Sequence, residues 1–193
     1  LSKNSELKIK NVNINESRIG FIKVLNKMGA KIKMMNTKKK FGEKQADIYV
    51  KSQSKLKKIN CSPKLTSNLI DEFLIIFLVA ARAKGVSSFF NLEELNKKES
   101  PRLKIGSKLL IKMGIKNKMT KNSIKIFGNP NIDLKKNVRI GNYLKDHRVF
   151  MTSVIAACTF GGNWTIEDPS SYKSSFPSFL KILKKLGYKF KLI

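Results

Sequence analysis

Three short segments bring charged residues to what the sequence marks as helix starts. Lys97-Lys98-Glu99-Ser100-Pro101-Arg102 carries a Ser-Pro pair suited to an N-cap and a first helical position, with Lys98 and Arg102 on either side. Asp146-His147-Arg148 sets a capping acid ahead of a histidine and an arginine, and Lys173-Ser174-Ser175-Phe176-Pro177 leads into a third helix. The start of a helix carries partial positive charge, so acids belong there and cations do not. Cations gathered at such ends are stabilised when an anion lies between them and the exposed N–H groups. The chemistry this suits is recognition of phosphate or carboxylate.

Two carboxylates accompany these junctions. Asp71 and Glu99 come from a pool of only 13 acids, against 40 Lys and Arg. A carboxylate among cations stays ionised and can accept a proton, or deliver one once protonated. A plainer reading stands beside this one. Asp71 or Glu72 would be a helix-start acid, Glu99 a surface ion-pair partner worth at most about 1 kcal/mol, and His147 a structural histidine. Taken singly, each acid fits the plainer role better, and the position of the junctions leaves both readings open. Arg102 and Arg148 weigh more than the lysines, because the chain has only five Arg and Lys occurs in nearly every segment.

The chain has 193 residues with 41% apolar side chains, enough to bury the core of one domain. A net charge of +27 suggests nucleic acid or an anionic membrane. Against this, the excess is almost all Lys, whereas geometric recognition of phosphate favours Arg. Lys spread evenly with many Asn and Ile reads as a composition bias, and no specific nucleic-acid partner is expected. Cys61 and Cys158 lie far apart, and with one His in the chain a structural zinc site is excluded. A disulfide scaffold is equally unexpected, which suits a reducing cytosol and a cytoplasmic protein. The longest apolar run, Phe73–Ala81, falls far short of the roughly 20 residues of a membrane span, so no membrane partner is expected. The chain begins at Leu1 rather than Met and is expected to be a piece of a longer protein.

The elements that must position the charged junctions follow from an internal repeat. LNKMGAKIKM (Leu25–Met34), LIKMGIKNKM (Leu110–Met119) and LKKLGYKFKL (Leu183–Leu192) each end an amphipathic helix. Each places Gly29, Gly114 or Gly187 just past that end and opens an alternating strand. Copies so far apart suit a large βαβ-type unit used several times. Strands are expected at Glu6–Val12, Lys31–Met35, Ala46–Lys51, Val86–Leu92, Ser123–Phe127 and Asn163–Glu167. Helices are expected at Glu16–Met28, Asp71–Ala83, Pro101–Met113, His147–Phe160 and Pro177–Leu186, the one through Phe73–Ala81 being apolar all round and therefore buried. Thr37–Gln45 and Asn129–Lys136 read as polar connections. The fold class is α/β, with residues 1–193 in one domain.

Taken in order, LIDEF (Leu69–Phe73), EELNKKESPR (Glu93–Arg102), DHR (Asp146–Arg148) and YKSSFP (Tyr172–Pro177) resemble the C-terminal portion of the 5-enolpyruvylshikimate-3-phosphate synthase family. The flanking RIGFIKVLNKMGAKI, ADIYVKS and IEDPSSYKSSFPSFLKILKKLG agree. The related transferase acting on UDP-N-acetylglucosamine lacks the DHR and KSSFP text. The second motif departs from the family's R-V-K-E-S-D-R, with Asn96 and Lys97 at its first two positions and Pro101 for its acid.

The resemblance implies transfer of the enolpyruvyl group of phosphoenolpyruvate to the 5-hydroxyl of shikimate 3-phosphate, with release of phosphate. It implies Arg102, Arg148, Lys173 and His147 at phosphoenolpyruvate, Glu94, Lys98 and Asp71 at shikimate 3-phosphate, and Asp71 and Glu99 as the acid–base pair. No metal or cofactor is implied. The implied fold is an enolpyruvyl transferase-type domain of repeated βαβαββ units, an inside-out α/β barrel. This chain would be most of the C-terminal domain of a two-domain enzyme that is monomeric when complete, with the N-terminal half as its missing partner.

Overall fold

The three decapeptides end their helices in the same way. Gly29, Gly114 and Gly187 have φ of 92°, 78° and 90°. The amide after each glycine reaches back five residues, Ala30 to the Leu25 carbonyl (2.9 Å), Ile115 to Leu110 (2.8 Å) and Tyr188 to Leu183 (3.1 Å). The glycine amides bond Asn26, Ile111 and Lys184. These paired bonds satisfy carbonyls that a helix end otherwise leaves open, and they require a left-handed residue at that point.

The computed structural model describes residues 1–2, 4–53 and 55–191. In chain order the elements are β1 (Glu6–Asn13), α1 (Gly20–Lys27), β2 (Lys31–Lys40), β3 (Glu43–Lys51), α2 (Pro63–Thr66), α3 (Phe73–Arg82), β4 (Gly85–Phe89), α4 (Arg102–Lys112), β5 (Asn117–Met119), β6 (Ile124–Gly128), β7 (Leu134–Ile140), α5 (His147–Phe160), β8 (Gly161–Ile166) and α6 (Phe179–Lys185). Single 3₁₀ turns occupy Ser67–Leu69 and Glu93–Lys97.

Two antiparallel sheets share one strand order, β1-β3-β2 and β4-β6-β5, while β7 and β8 pair in parallel across α5. Parallel bridges Lys57–Lys84 and Asn60–Ser88 set residues 57–60 beside β4 as β7 lies beside β8. The middle unit therefore reads βαβαββ: residues 57–60, α3, β4, α4, β5, β6. The elements β1-α1-β2-β3 repeat its last four, and β7-α5-β8-α6 repeat its first four. Helices α1, α4 and α6 hold one place in the unit, which is why the decapeptide recurs where it does. The fold is α/β of the repeated-unit kind that the sequence implies.

The core forms around α3, eight of whose ten residues are buried. Phe73, Phe77 and Phe89 cluster with ring centroids 5.5 to 5.9 Å apart. Helix α4 comes close because Gly106 faces it, where a Cβ would lie 3.0 Å from Leu74 and Phe77. Arg82 joins the far ends of α3 and α5, donating to the Thr159 carbonyl at 2.7 Å with its guanidinium 4.6 Å from the Phe160 ring centre. A smaller cluster, Ile14, Ile19, Ile22, Ala46 and Ile48, packs α1 on the first sheet. No helix among the described residues is long and apolar enough to cross a membrane.

Several expected boundaries move. Helix α1 starts at Gly20 rather than Glu16, because the Asn15 side chain accepts from the Ser17 amide and holds residues 15–18 in a turn. Asp71 and Glu72 lie ahead of α3, not inside it. Thr37–Gln45 is a hairpin rather than a connection, with Lys40 opposite Glu43 and both turn residues, Phe41 and Gly42, at positive φ. Backbone pairing there needs no apolar side chains, so lysines hid it. Asn129–Lys136 likewise contains the start of β7, in which Leu134, Val138 and Ile140 are buried between exposed Lys135, Lys136, Asn137 and Arg139. Strand β4 ends at Phe89 rather than Leu92, followed by Asn91 at φ 57°. Strand β8 starts earlier than expected, at Gly161. After the third decapeptide's glycine, residues 188–191 form no strand, and Leu192 lies outside the described residues.

Candidate functional site

The site begins with Asp146, which is 1% exposed. Its Oδ1 accepts the Arg148 amide at 2.9 Å and so caps α5, as its place in the sequence predicts. Its Oδ2 accepts from Ser100 Oγ at 2.8 Å and from Arg102 Nε at 2.9 Å, while Arg102 Nη2 stands 3.3 Å from Oδ1. Burial raises the Asp146 pKa, but hydrogen bonds from Arg102 and Ser100, the Arg102 charge and the Arg148 amide together hold it below the usual carboxylate range.

These contacts correct the expected start of α4. Ser100 is not its cap and Pro101 is not its first residue. Pro101, at φ −71° and ψ 73°, occupies the cap position, and its carbonyl accepts the Ile105 amide at 2.9 Å. The residue before a proline is driven from helical backbone, so Ser100 stays outside and gives its hydroxyl to Asp146.

Arg102, 3% exposed, turns its remaining edge toward two more acids. Nη1 lies 3.4 Å from Asp71 Oδ1 and Nη2 lies 3.3 Å from Glu99 Oε2. Asp71 also meets Lys98 Nζ at 3.7 Å, Arg148 Nη2 at 3.6 Å and Arg18 Nη2 at 3.9 Å. Arg148 Nη1 donates to the Asp71 backbone carbonyl at 2.8 Å and lies 3.9 Å from Glu72. Burial pushes the Glu72 carboxyl upward, and the Arg148 charge partly opposes that. His147 Nδ1 sits 2.9 Å from Glu99 Oε2.

Helices α4 and α5 thus bring their starts, with the turn ahead of α3, to one place. The structure gathers Asp71, Lys98, Glu99, Arg102, His147 and Arg148 there. It does not bring Glu94 into contact with them. That side chain is exposed on its 3₁₀ turn and pairs with Lys97 at 2.9 Å, whose hydrogen bond lowers the Glu94 pKa. Lys173 is exposed in the turn ahead of α6, and none of the cluster's ion pairs among the described residues includes it. The sequence marks Asp146 only as a cap, assigns Ser100 to capping α4 rather than to Asp146, and gives Arg18 no role. The scarcity of Arg was the one signal that pointed to Arg18.

Glu99, Asp146 and His147 offer donor atoms within 4.8 Å of one another. The Arg102 guanidinium already lies among the same oxygens, so a metal ion there would have to displace it. A groove of about 790 Å³ between α5, β8 and α6 contains none of the cluster residues. Chemically, the cluster can bind an anion between fixed cations and helix starts, and can pass protons through Asp71 and Glu99.

Fold and cluster together define an α/β protein of repeated units whose helix starts carry a cation–carboxylate site. Residues 1–183 match the family described as EPSP synthase (3-phosphoshikimate 1-carboxyvinyltransferase), and the chain belongs to that family. It is 40% identical over 182 residues to a 3-phosphoshikimate 1-carboxyvinyltransferase from Thermodesulfovibrio yellowstonii, covering 94% of this chain and 41% of the relative. One from Ruthia magnifica is 35% identical over 189 residues, covering 98% and 42%. An EPSP synthase structure from Acinetobacter baumannii superposes with a TM-score of 0.86 at 28% identity, over 95% of this chain and 42% of that one. The enolpyruvyl transferase NikO from Streptomyces tendae shares the fold, with a TM-score of 0.70 at 15% identity. The chain spans about two fifths of the length of the relatives it matches.

Proposed function

We propose that the chain supplies one domain of a two-domain enzyme that transfers the enolpyruvyl group of phosphoenolpyruvate to the 5-hydroxyl of shikimate 3-phosphate. The observation that carries this reading is that buried Arg102 touches both Asp71 and Glu99 while anchored on Asp146. Two acids held at one guanidinium suit a reaction that moves two protons beside an anion. The 5-hydroxyl oxygen forms a bond to the enol carbon, its proton goes to a base, and the methylene takes a proton from an acid. The product regains its double bond when the C–O bond to phosphate breaks and the methyl gives that proton back. Asp71 would serve the hydroxyl and Glu99 the methylene. Nothing in these steps asks for a redox group.

Arg102 and Arg148 would hold phosphoenolpyruvate, with His147 beside it, and Lys98 would contact shikimate 3-phosphate. Within the cluster, Arg18, Lys98, Arg102 and Arg148 face Asp71, Glu72, Glu99 and Asp146, so formal charge balances. Two substrates each bearing a phosphate and a carboxylate need further cations. Lys173 would supply one as its turn closes, and the other domain the rest. Glu94 would join when shikimate 3-phosphate binds. We place the enzyme in the cytoplasm as a monomer.

The test is phosphate release by the complete reading frame given both substrates, against the 193-residue chain alone. Release that needs both substrates and the longer chain is the expected result. Turnover by the 193 residues alone would refute the two-domain site, and no release by the longer chain would refute the reaction.

A further inference from the structure

Asp146 does more than cap a helix. A cap needs one oxygen for one amide, and Asp146 gives that to Arg148. Asn caps as well as Asp, so capping does not explain a charged group in a site with 1% exposure. An ion is tolerated there only when paired and hydrogen-bonded. Its pairing is with Arg102, through Nε and Nη2 together. Two parallel bonds to one carboxylate fix the plane of a guanidinium as well as its position. Ser100 donates to Oδ2, the oxygen that also takes Arg102 Nε, at 2.8 Å.

The consequence lies on the opposite edge of Arg102. With Nε and one side of Nη2 committed to Asp146, Nη1 faces Asp71 and the rest of Nη2 faces Glu99. Glu99 is 54% exposed at its side chain and could not hold the guanidinium inward by itself. We infer that Asp146 is a positioning residue: its buried carboxylate orients Arg102 so that one guanidinium edge serves Asp71 and Glu99 together. Asp146 is not a proton-transfer group, since its oxygens are filled by four donors and shut from water. The kinetic part of this inference rests on the function proposed above, and the structural part does not.

The test compares Asp146→Asn, which retains the cap and removes the charge, with the parent in the longest natural polypeptide carrying these residues. Nitrogen-15 NMR reads the Arg102 Nε–H directly. Its slowly exchanging signal in the parent should broaden or vanish in the variant. The KM for phosphoenolpyruvate should rise about 10- to 100-fold, the scale of a misplaced binding group. Affinity for shikimate 3-phosphate should stay within about threefold, a split that general loosening of the fold does not produce. A parent that releases no phosphate fails the proposed reaction, while the Arg102 signal still decides the positioning role. If Asp146→Asn does not fold, Ser100→Ala takes its place, with a smaller change in the same direction. An unmoved Arg102 signal overturns the inference, and so does a lost signal with an unchanged KM.

Discussion

Nδ1 of His147 lies 2.9 Å from Oε2 of Glu99, and that oxygen is also 3.3 Å from Nη2 of Arg102. With a proton on Nδ1, the ring donates to the carboxylate and its Nε2 becomes an acceptor, a tautomer assigned from this contact. Glu99 is therefore aimed by two donors although half of its surface is exposed. Glu99→Gln retains size and hydrogen bonding but cannot shuttle a proton at neutral pH. Under the proposed function, it should cut kcat of the longer chain by at least about 100-fold, with substrate binding within a few-fold. Single-turnover rates and equilibrium binding on one protein check this. A near-parental rate would remove Glu99 from the proposed acid–base pair and leave only Asp71 in it.

Much of this site is legible in the sequence. Arg102 and Arg148 stood out because Arg is scarce, and the DHR and KES text placed them in order. The repeat was equally plain, since glycine is the residue that ends α1, α4 and α6 with one hydrogen-bond pattern. What escaped was of two kinds. Strand Leu134–Ile140 and the arms of the Phe41-Gly42 turn are Lys-rich, and pairing of backbone amides leaves no mark on side-chain polarity. Asp146 escaped because its second contact, with Arg102, spans 44 residues and depends on how α4 packs against α5. No local pattern encodes that distance.

Gly128 and Gly114 separate two costs of adding a methyl group. A Cβ on Gly128 would fall 2.1 Å from the Ala83 carbonyl oxygen and 2.5 Å from that of Ala80. Backbone cannot retreat as a side-chain tip can, so Gly128→Ala should lose about 3 kcal/mol. At Gly114 nothing lies within 4 Å, and the only penalty is its positive φ. Gly114→Ala should lose about 1–2 kcal/mol. Urea unfolding of both variants gives the comparison, and equal losses would contradict it.

Asp47 makes the first sheet sensitive to acid. The register of β1 breaks between Ile9 and Val12, and that of β2 between Met35 and Lys38. Asn11 and Asn36, both at positive φ, turn at these breaks toward the Asp47 carboxylate. The Asn36 side chain at 2.8 Å, the Asn11 amide and Lys8 hold its pKa down to about 2. A carboxyl whose pKa is lower folded than unfolded stabilises the fold above its unfolded value, about 3.9. That stability is lost as pH falls through about 2. Thermal melts from pH 5 to pH 2 should show Tm falling in this window. Asp47→Asn should start lower at neutral pH and fall less steeply. An identical slope in both proteins would remove Asp47 from the effect.

Arg148 shows what the fork of an arginine contributes beyond its charge. Nη1 donates to the Asp71 backbone carbonyl at 2.8 Å while Nη2 lies 3.6 Å from the Asp71 carboxylate, so one side chain holds both ends of that residue. The side chain is 29% exposed, leaving a face for an incoming anion. Under the proposed function that anion is phosphoenolpyruvate. Arg148→Ala should weaken its binding by about 2–3 kcal/mol, roughly 30- to 150-fold, toward the lower end of the range for truncated charge pairs because the site is partly solvated. Lysine restores the charge but not the two-pronged geometry, so Arg148→Lys should recover only part of the loss. Calorimetric titration of phosphoenolpyruvate in the presence of shikimate 3-phosphate measures both. Full recovery in Arg148→Lys would reduce Arg148 to a point charge and leave Asp71 to be held by Arg18, Lys98 and Arg102.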